Sequence, residues 1–400
     1  MKFSNFHLSY CSNIHPGESW EATFENLKHY IPEVRKNLDF EGPFGIGLRL
    51  SHEASLILEM PEELARFQTW LQEENAYVFT LNGFPYGDFH RTVVKDQVHF
   101  PDWTTPERKD YTIRSFKILA QLLPEGQDGG ISTSPVSYRH WFKTQEAFDQ
   151  GMEVATSHLM EVVTELSKIE AETGKLLHLD IEPEPDGILE NSDEMVWLFT
   201  DWLLPKGAPE LAKTLGISPK ESEALIKRHI QVCYDVCHFA IVYEKPEETF
   251  EKFAKAGLKI GKVQISAALK LMLDQDRGIL KDQLSEFAES TYLHQVVGRN
   301  TDGSLISYPD LLPALEKLED AKEEEWRIHF HVPVFMKKYG EFESTNFLIE
   351  EVLKVLQSKP ELSNHLEVET YTWEVLPPES RLPLAESISR ELAWVISQLN

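Results

Sequence analysis

Cysteine is scarce in this chain of 400 residues, with only Cys11, Cys233 and Cys237 present. Three thiols at these spacings build neither a disulfide framework nor a four-cysteine zinc site, so a reducing compartment suits them. Positive charge is in short supply as well: 39 Lys and Arg stand against 66 Asp and Glu, a formal net charge of −27. Nucleic-acid binding draws on cations that neutralise phosphates, and an anionic membrane surface repels the same excess, so neither is an expected partner. Long apolar runs are missing too. The longest, from Ile260 to Leu273, is broken by Lys262 and Lys270, which argues against a membrane span. Met1 to His7 lacks the apolar stretch of a secretory signal, so the expected location is cytoplasmic. Neither a short repeat nor a low-complexity tract interrupts the sequence.

What is present is alternation. Short β-rich runs take turns with long amphipathic ones, the pattern of a parallel sheet with crossover helices. Nine runs read as strands: Phe6 to Cys11, Phe44 to Leu50, Tyr77 to Leu81, Gly130 to Ser134, Leu176 to Ile181, Val232 to Val236, Ile260 to Ser266, Ile328 to Val332 and Leu366 to Tyr371. The expected fold is α/β, one (β/α)8 TIM barrel over residues 1–400 with insertions after several strands. Nine runs for eight places leave one surplus. Between them, Ser19 caps a helix carrying Trp20, Phe24, Leu27, Ile31 and Val34 inward, and Pro61 opens another. Thr144 and Gly174 bound a long helix, Ser218 begins a capping box, and Leu384 to Ile396 forms the last helix. The connections Gly83 to Pro106, Gly187 to Pro219 and Lys270 to Pro309 read as insertions over the mouth. The first, with Phe84, Pro85, Tyr86, Phe89, His90 and Trp103, is either a lid or a segment packed on the rim.

Polar residues gather where the strands end, and in a barrel those ends converge. The fifth run delivers Glu182, beside Pro183, Glu184 and Pro185. The sixth ends in Asp235-Val236-Cys237-His238, where Asp235 either helps hold a cation or caps the next helix. On the seventh, Gln264 and Ser266 share a face. Alternation puts His329 and His331 together, and Glu367, Glu369 and Tyr371 together. Buried acids need a cation, a proton or hydroxyl partners. His7 and Arg49 join the list from the first two strands, with Arg49 holding a substrate anion or pairing with an acid.

This arrangement resembles the xylose isomerase-like TIM barrels, the superfamily of sugar isomerases, epimerases and endonuclease IV. The resemblance rests on Glu182, Asp235-x-x-His238 and Glu369. It implies a divalent metal ion (Mn, Mg or Zn) held by Glu182, Asp235 and Glu369, with Gln264 where the superfamily places a histidine and His331 as a substitute. It also implies that His238 touches substrate; Glu182 and Glu369 are the expected catalytic acid and base, and His7, Arg49, His329 and Glu367 are expected as further substrate-binding residues from their places on the strands. The segments His7 to Trp20, His329 to Pro333 and Leu366 to Glu374 are similar to those of EboE-type metabolite traffic proteins. The implied function is a metal-assisted sugar isomerase or epimerase acting on a polyhydroxylated small molecule, in secondary-metabolite precursor processing or traffic. The alternatives are a non-catalytic metabolite carrier that hands its cargo to a membrane-protein partner, and an endonuclease IV-like phosphodiesterase, which the charge opposes.

Overall fold

The computed structural model describes residues 1–87, 95–288, 292–339, 342–370, 373 and 382–400. Eight parallel strands form the barrel: β1 (Phe6–Tyr10), β2 (Phe44–Arg49), β3 (Ala76–Asn82), β4 (Gly129–Thr133), β5 (Leu177–Ile181), β6 (Ile230–Asp235), β7 (Ile260–Ile265) and β8 (His365–Val368). They pair in chain order from β2 to β8, and β8 then pairs with β1. A parallel bridge between Cys11 and Gly47 brings β1 against β2 and completes the ring. Glycine is required at that seam, since a Cβ on Gly47 would lie 2.8 Å from the Tyr10 carbonyl oxygen and within 1.6 Å of a Glu367 carboxylate oxygen. A further strand, Lys2–Phe3, adds antiparallel to β1.

The surplus run is now identified. Glu325–His331 lies outside the barrel, in a second sheet of six strands, antiparallel to Ala268–Met272 and to Val296–Arg299. Ala268–Met272 follows directly on β7, so the second sheet rises from the mouth end of that strand. Three of its six strands fall in or overlap the connection expected between Lys270 and Pro309. The pairing carries a register shift between Ile328 and His331, a bulge of the kind that re-aims side chains beside a site.

The helices form where their end signals stand. Ser19 accepts from the Ala22 amide, Thr144 from Ala147, and Ser218 with Glu221 completes a capping box. Trp20, Phe24, Leu27, Ile31 and Val34 are all buried on one helix face. The insertion Gly187 to Pro219 is mostly helical, with helices at Ser192–Trp197, Leu198–Gly207 and Ala208–Leu215. Among the described residues no helix is long and apolar enough to cross a membrane. All three cysteines are buried and free.

Candidate metal centre

Glu182, Asp235 and Glu369 come from the ends of β5, β6 and β8, and each places a carboxylate oxygen within 4.8 Å of the other two. All three are buried, with 3%, 0% and 6% exposure. Asp235 does two things at once. Its Oδ1 accepts from the His238 amide at 3.0 Å, capping the helix Val236–Ile241, and from the Ser266 hydroxyl at 2.7 Å, while Oδ2 has no hydrogen-bond partner. Glu369 Oε1 accepts from the amides of Asn13 at 2.7 Å and Asn82 at 3.1 Å. Glu182 Oε2 is without a partner.

Burial raises the Glu182 carboxyl well above the carboxylate range, and the charges of Glu369, Asp235 and Glu184 add to the effect. Glu369 is raised for the same reason, burial first and then Asp235 and Glu367. Lys262 opposes both shifts from below. Its ammonium is fully buried in the barrel and pairs with Glu367. Glu367 is therefore a partner of Lys262 in the barrel interior, one layer beneath the Glu369 carboxylate.

Histidines supply the other wall. His331 donates from Nδ1 to the Glu369 carbonyl at 2.9 Å, which makes Nε2 its lone-pair nitrogen. An oxygen of Asp235 and nitrogens of His238 and His331 lie within 4.8 Å of one another. His331 pairs with Ala268, just past the end of β7, so the second sheet brings its imidazole to the side of the mouth that β7 serves. His238 donates from Nδ1 to the Pro183 carbonyl at 3.0 Å, and His329 from Nδ1 to Gln295 Oε1 at 2.8 Å. The Gln295 amide nitrogen faces the Pro185 carbonyl and Asp186, which fixes Oε1 as the acceptor. Both rings then turn an Nε2 lone pair toward the other across 3.1 Å. Two lone pairs at that distance need a proton or a cation between them. Burial holds all three imidazoles below their ordinary range, His331 at about 4 and His329 further depressed by its imidazole neighbours, which disfavours the proton.

This donor set fits a divalent ion. Carboxylate oxygens and neutral imidazoles are the usual ligands of zinc and manganese, and partnerless carboxylate oxygens buried together are otherwise unfavourable. A cavity of ≈ 50 Å³ is lined by Glu182, Glu369, His238 and His331 together with Phe84 and Pro85, and it is sized for an ion with a few waters. Gln264 stands beside Asp235 and Glu367 in register, buried, with neither amide atom hydrogen-bonded.

Besides Glu367, two expected substrate contacts lie elsewhere. His7 sits at the opposite end of the barrel, bonded to the Tyr77 hydroxyl and packed against Phe79 and His365, because it lies near the start of β1 whereas the site is at the strands' ends. Arg49 reaches the mouth end of β2 but grips Glu18, at 2.9 and 3.1 Å, and the carbonyls of Gly17 and Gly87. Its acidic partner is thus Glu18, outside the cluster. Of the aromatic segment, Tyr86 stacks on His52 and Trp103 is buried with its indole bonded to Thr133, so both pack on the rim. Phe89, His90 and Tyr371 lie outside the described residues. Asn82, Ser266, Gln295 and Lys262 were not singled out for these roles by the sequence reading. Their identities carry no local signal, and only the convergence of distant strands gives them a place.

A parallel eight-stranded barrel with a buried carboxylate and imidazole cluster at its carboxyl-terminal mouth defines the class of this protein. Solved structures similar to it are xylose isomerase-like TIM barrel proteins. One, from Mycobacterium smegmatis in complex with magnesium, is 10% identical and covers 98% of each chain at a TM-score of 0.47. A D-tagatose 3-epimerase-like protein is 11% identical over 98% of this chain and 96% of its own, also at 0.47. The IOLI protein with a bound zinc atom is 13% identical over 98% and 96%, at 0.41. No family model and no curated protein sequence matches the chain. Likeness at this level concerns the fold, which the strand pairing above establishes by itself, and assigns no chemistry.

Proposed function

We propose that the chain is a divalent-metal-dependent isomerase or epimerase acting on a polyhydroxylated small molecule. The observation that carries this reading is the meeting of Glu182, Asp235 and Glu369 within 4.8 Å of one another, all buried. A bound divalent ion would supply Lewis-acid polarisation of adjacent substrate oxygens. Asp235, His331 and one oxygen each of Glu182 and Glu369 are the residues that would hold it. Glu182 and Glu369, which meet across the cavity from the ends of β5 and β8, remove a proton from a substrate carbon and return it. His238, tied to the Pro183 carbonyl, and His329, tied to Gln295, face the same cavity and orient substrate hydroxyls. Phe84 and Pro85 supply apolar lining, and the cavity must widen to admit a sugar-sized molecule, since ≈ 50 Å³ does not hold one. The resemblance to EboE-type proteins would place the substrate among secondary-metabolite precursors.

The test is the double variant Glu182→Gln/Glu369→Gln assayed on a panel of ketoses and polyols with manganese, magnesium or zinc. General acid–base catalysis contributes roughly a hundred- to ten-thousand-fold per group, so turnover should fall below detection. Turnover within tenfold of the parent would contradict the mechanism. Calorimetric binding of a pathway metabolite by the parent, with no product under any metal, would instead favour a carrier that keeps the pocket without the reaction; Gln264 at the end of β7 is the feature that favours that second reading.

A further inference from the structure

The opposite end of the barrel carries a second cluster that the reading above does not use. Asp128 precedes β4, His178 lies near the start of β5, and His365 opens β8. One oxygen of Asp128 and one nitrogen of each histidine lie within 4.8 Å of one another. Both imidazoles are 1% exposed. His178 Nδ1 is 2.6 Å from Asp180 Oδ1, and the bond to that acceptor-only carboxylate leaves Nε2 as the ring's outward nitrogen, 3.9 Å from Asp128 Oδ2. His365 Nε2 is 3.4 Å from Asp128 Oδ1 without making a well-formed hydrogen bond, and its Nδ1 has no partner. A buried imidazole with neither nitrogen properly bonded, aimed at a carboxylate and at a second imidazole, needs an explanation.

We propose that Asp128, His178 and His365 form a zinc site at the foot of the barrel. Two imidazoles and a carboxylate are a common three-ligand set for zinc, and tetrahedral ligands about 2.0–2.1 Å from the ion stand roughly 3.3 Å apart, a contraction that small side-chain rotations supply. Asp180 does what a carboxylate behind a metal-bound histidine does: it fixes the tautomer and raises the basicity of the liganding nitrogen. The backbone is shaped around that pair. A Cβ on Gly261 would meet Asp180 Oδ1 at 1.9 Å and His178 Nδ1 at 2.6 Å, and one on Gly130 would meet Asp180 Oδ2 at 2.2 Å. The fourth position opens into a cavity of ≈ 470 Å³ lined by Asp128, His178, Gln231, Lys259 and Asn364, from which water completes the coordination. Its place at the amino-terminal face, where barrels hold stabilising rather than catalytic residues, assigns it the work of a clamp joining β4, β5 and β8.

The site is independent of the upper cluster, and the experiment separates the two. Zinc content is measured by elemental analysis after loading and gel filtration of the Glu182→Gln/Glu369→Gln protein and of the same protein with Asp128→Asn added. The expected difference is about one zinc per chain, accompanied by loss of the zinc-dependent rise in melting temperature. His365→Ala should repeat the loss; if that variant does not fold, Asp128→Asn, at a half-exposed position, still gives the result. Equal zinc content in the two proteins, including none in either, would overturn the proposal and leave a proton-bridged histidine and aspartate network in its place.

Discussion

Asp235 divides its oxygens between folding and chemistry. Oδ1 caps a helix and takes the Ser266 hydroxyl, while Oδ2 stays open toward the cluster. Asparagine can still cap through its carbonyl oxygen, so Asp235→Asn should fold with near-parental stability and lose metal affinity. Asp235→Ala should also lose about 1 kcal/mol of stability, read by urea denaturation. Metal retained by Asp235→Asn and lost only by Asp235→Ala would show that the charge is dispensable. Lys262 offers a different residue-scale test. Lys262→Met leaves Glu367 buried without its partner and should destabilise the chain by roughly 3–5 kcal/mol, whereas Lys262→Met/Glu367→Leu should recover most of that. At this scale Glu182, Asp235 and Glu369 could be placed at the mouth because each stands where a strand ends, and His238 because it follows Asp235 by three residues. Gln295 and Asn82 were not, since what they do depends on which histidine or carboxylate the fold sets beside them.

Among the elements, the strand Glu325–His331 carries the lesson about periodicity. Alternation reads the same in a barrel strand and in an antiparallel excursion, so the sequence ranks it with the other eight candidate runs and leaves the surplus unassigned. Its two histidines reach the mouth all the same, from the sheet that leaves β7 at Ala268. The helices were more legible, because caps such as Ser19 and Ser218 act within a few residues and need no tertiary partner. The last helix, Leu384–Leu399, carries a pH-dependent contact. Burial pushes the Glu391 carboxyl from 4.5 up to about 7, against the opposing bonds from the Thr370 hydroxyl and the Val334 amide. The folded state therefore binds this proton more tightly than the unfolded one, so its stabilisation is full below about pH 4.5 and is lost as pH rises through 7. Glu391→Gln keeps an acceptor that cannot ionise. Its stability relative to the parent should rise by up to about 3 kcal/mol between pH 4.5 and pH 8, followed by chemical denaturation at each pH. A difference flat with pH would show that the Glu391 carboxyl titrates alike in the folded and unfolded chain.

For the whole molecule, the fold was legible from one end of the chain to the other, because a barrel repeats the same local pattern and eight of the nine expected strands are the eight that form it. The mouth was legible only in part. Strand ends mark which residues arrive there, while the second sheet and the Arg49 to Glu18 pair arise from segments whose meeting no local pattern encodes. With 66 acidic residues against 39 basic ones, the chain concentrates part of that excess in a buried site, which a cation would neutralise. Stability should then depend on metal: a divalent ion at about a hundred times its Kd adds roughly 2.7 kcal/mol, seen as a higher melting temperature that chelation reverses. The most direct measurement is anomalous scattering from a crystal soaked in manganese. The account predicts a peak bounded by Glu182, Asp235 and Glu369, with His331 Nε2 as a further ligand. Continuous side-chain density with no anomalous peak there, at millimolar manganese and again with zinc, would contradict it.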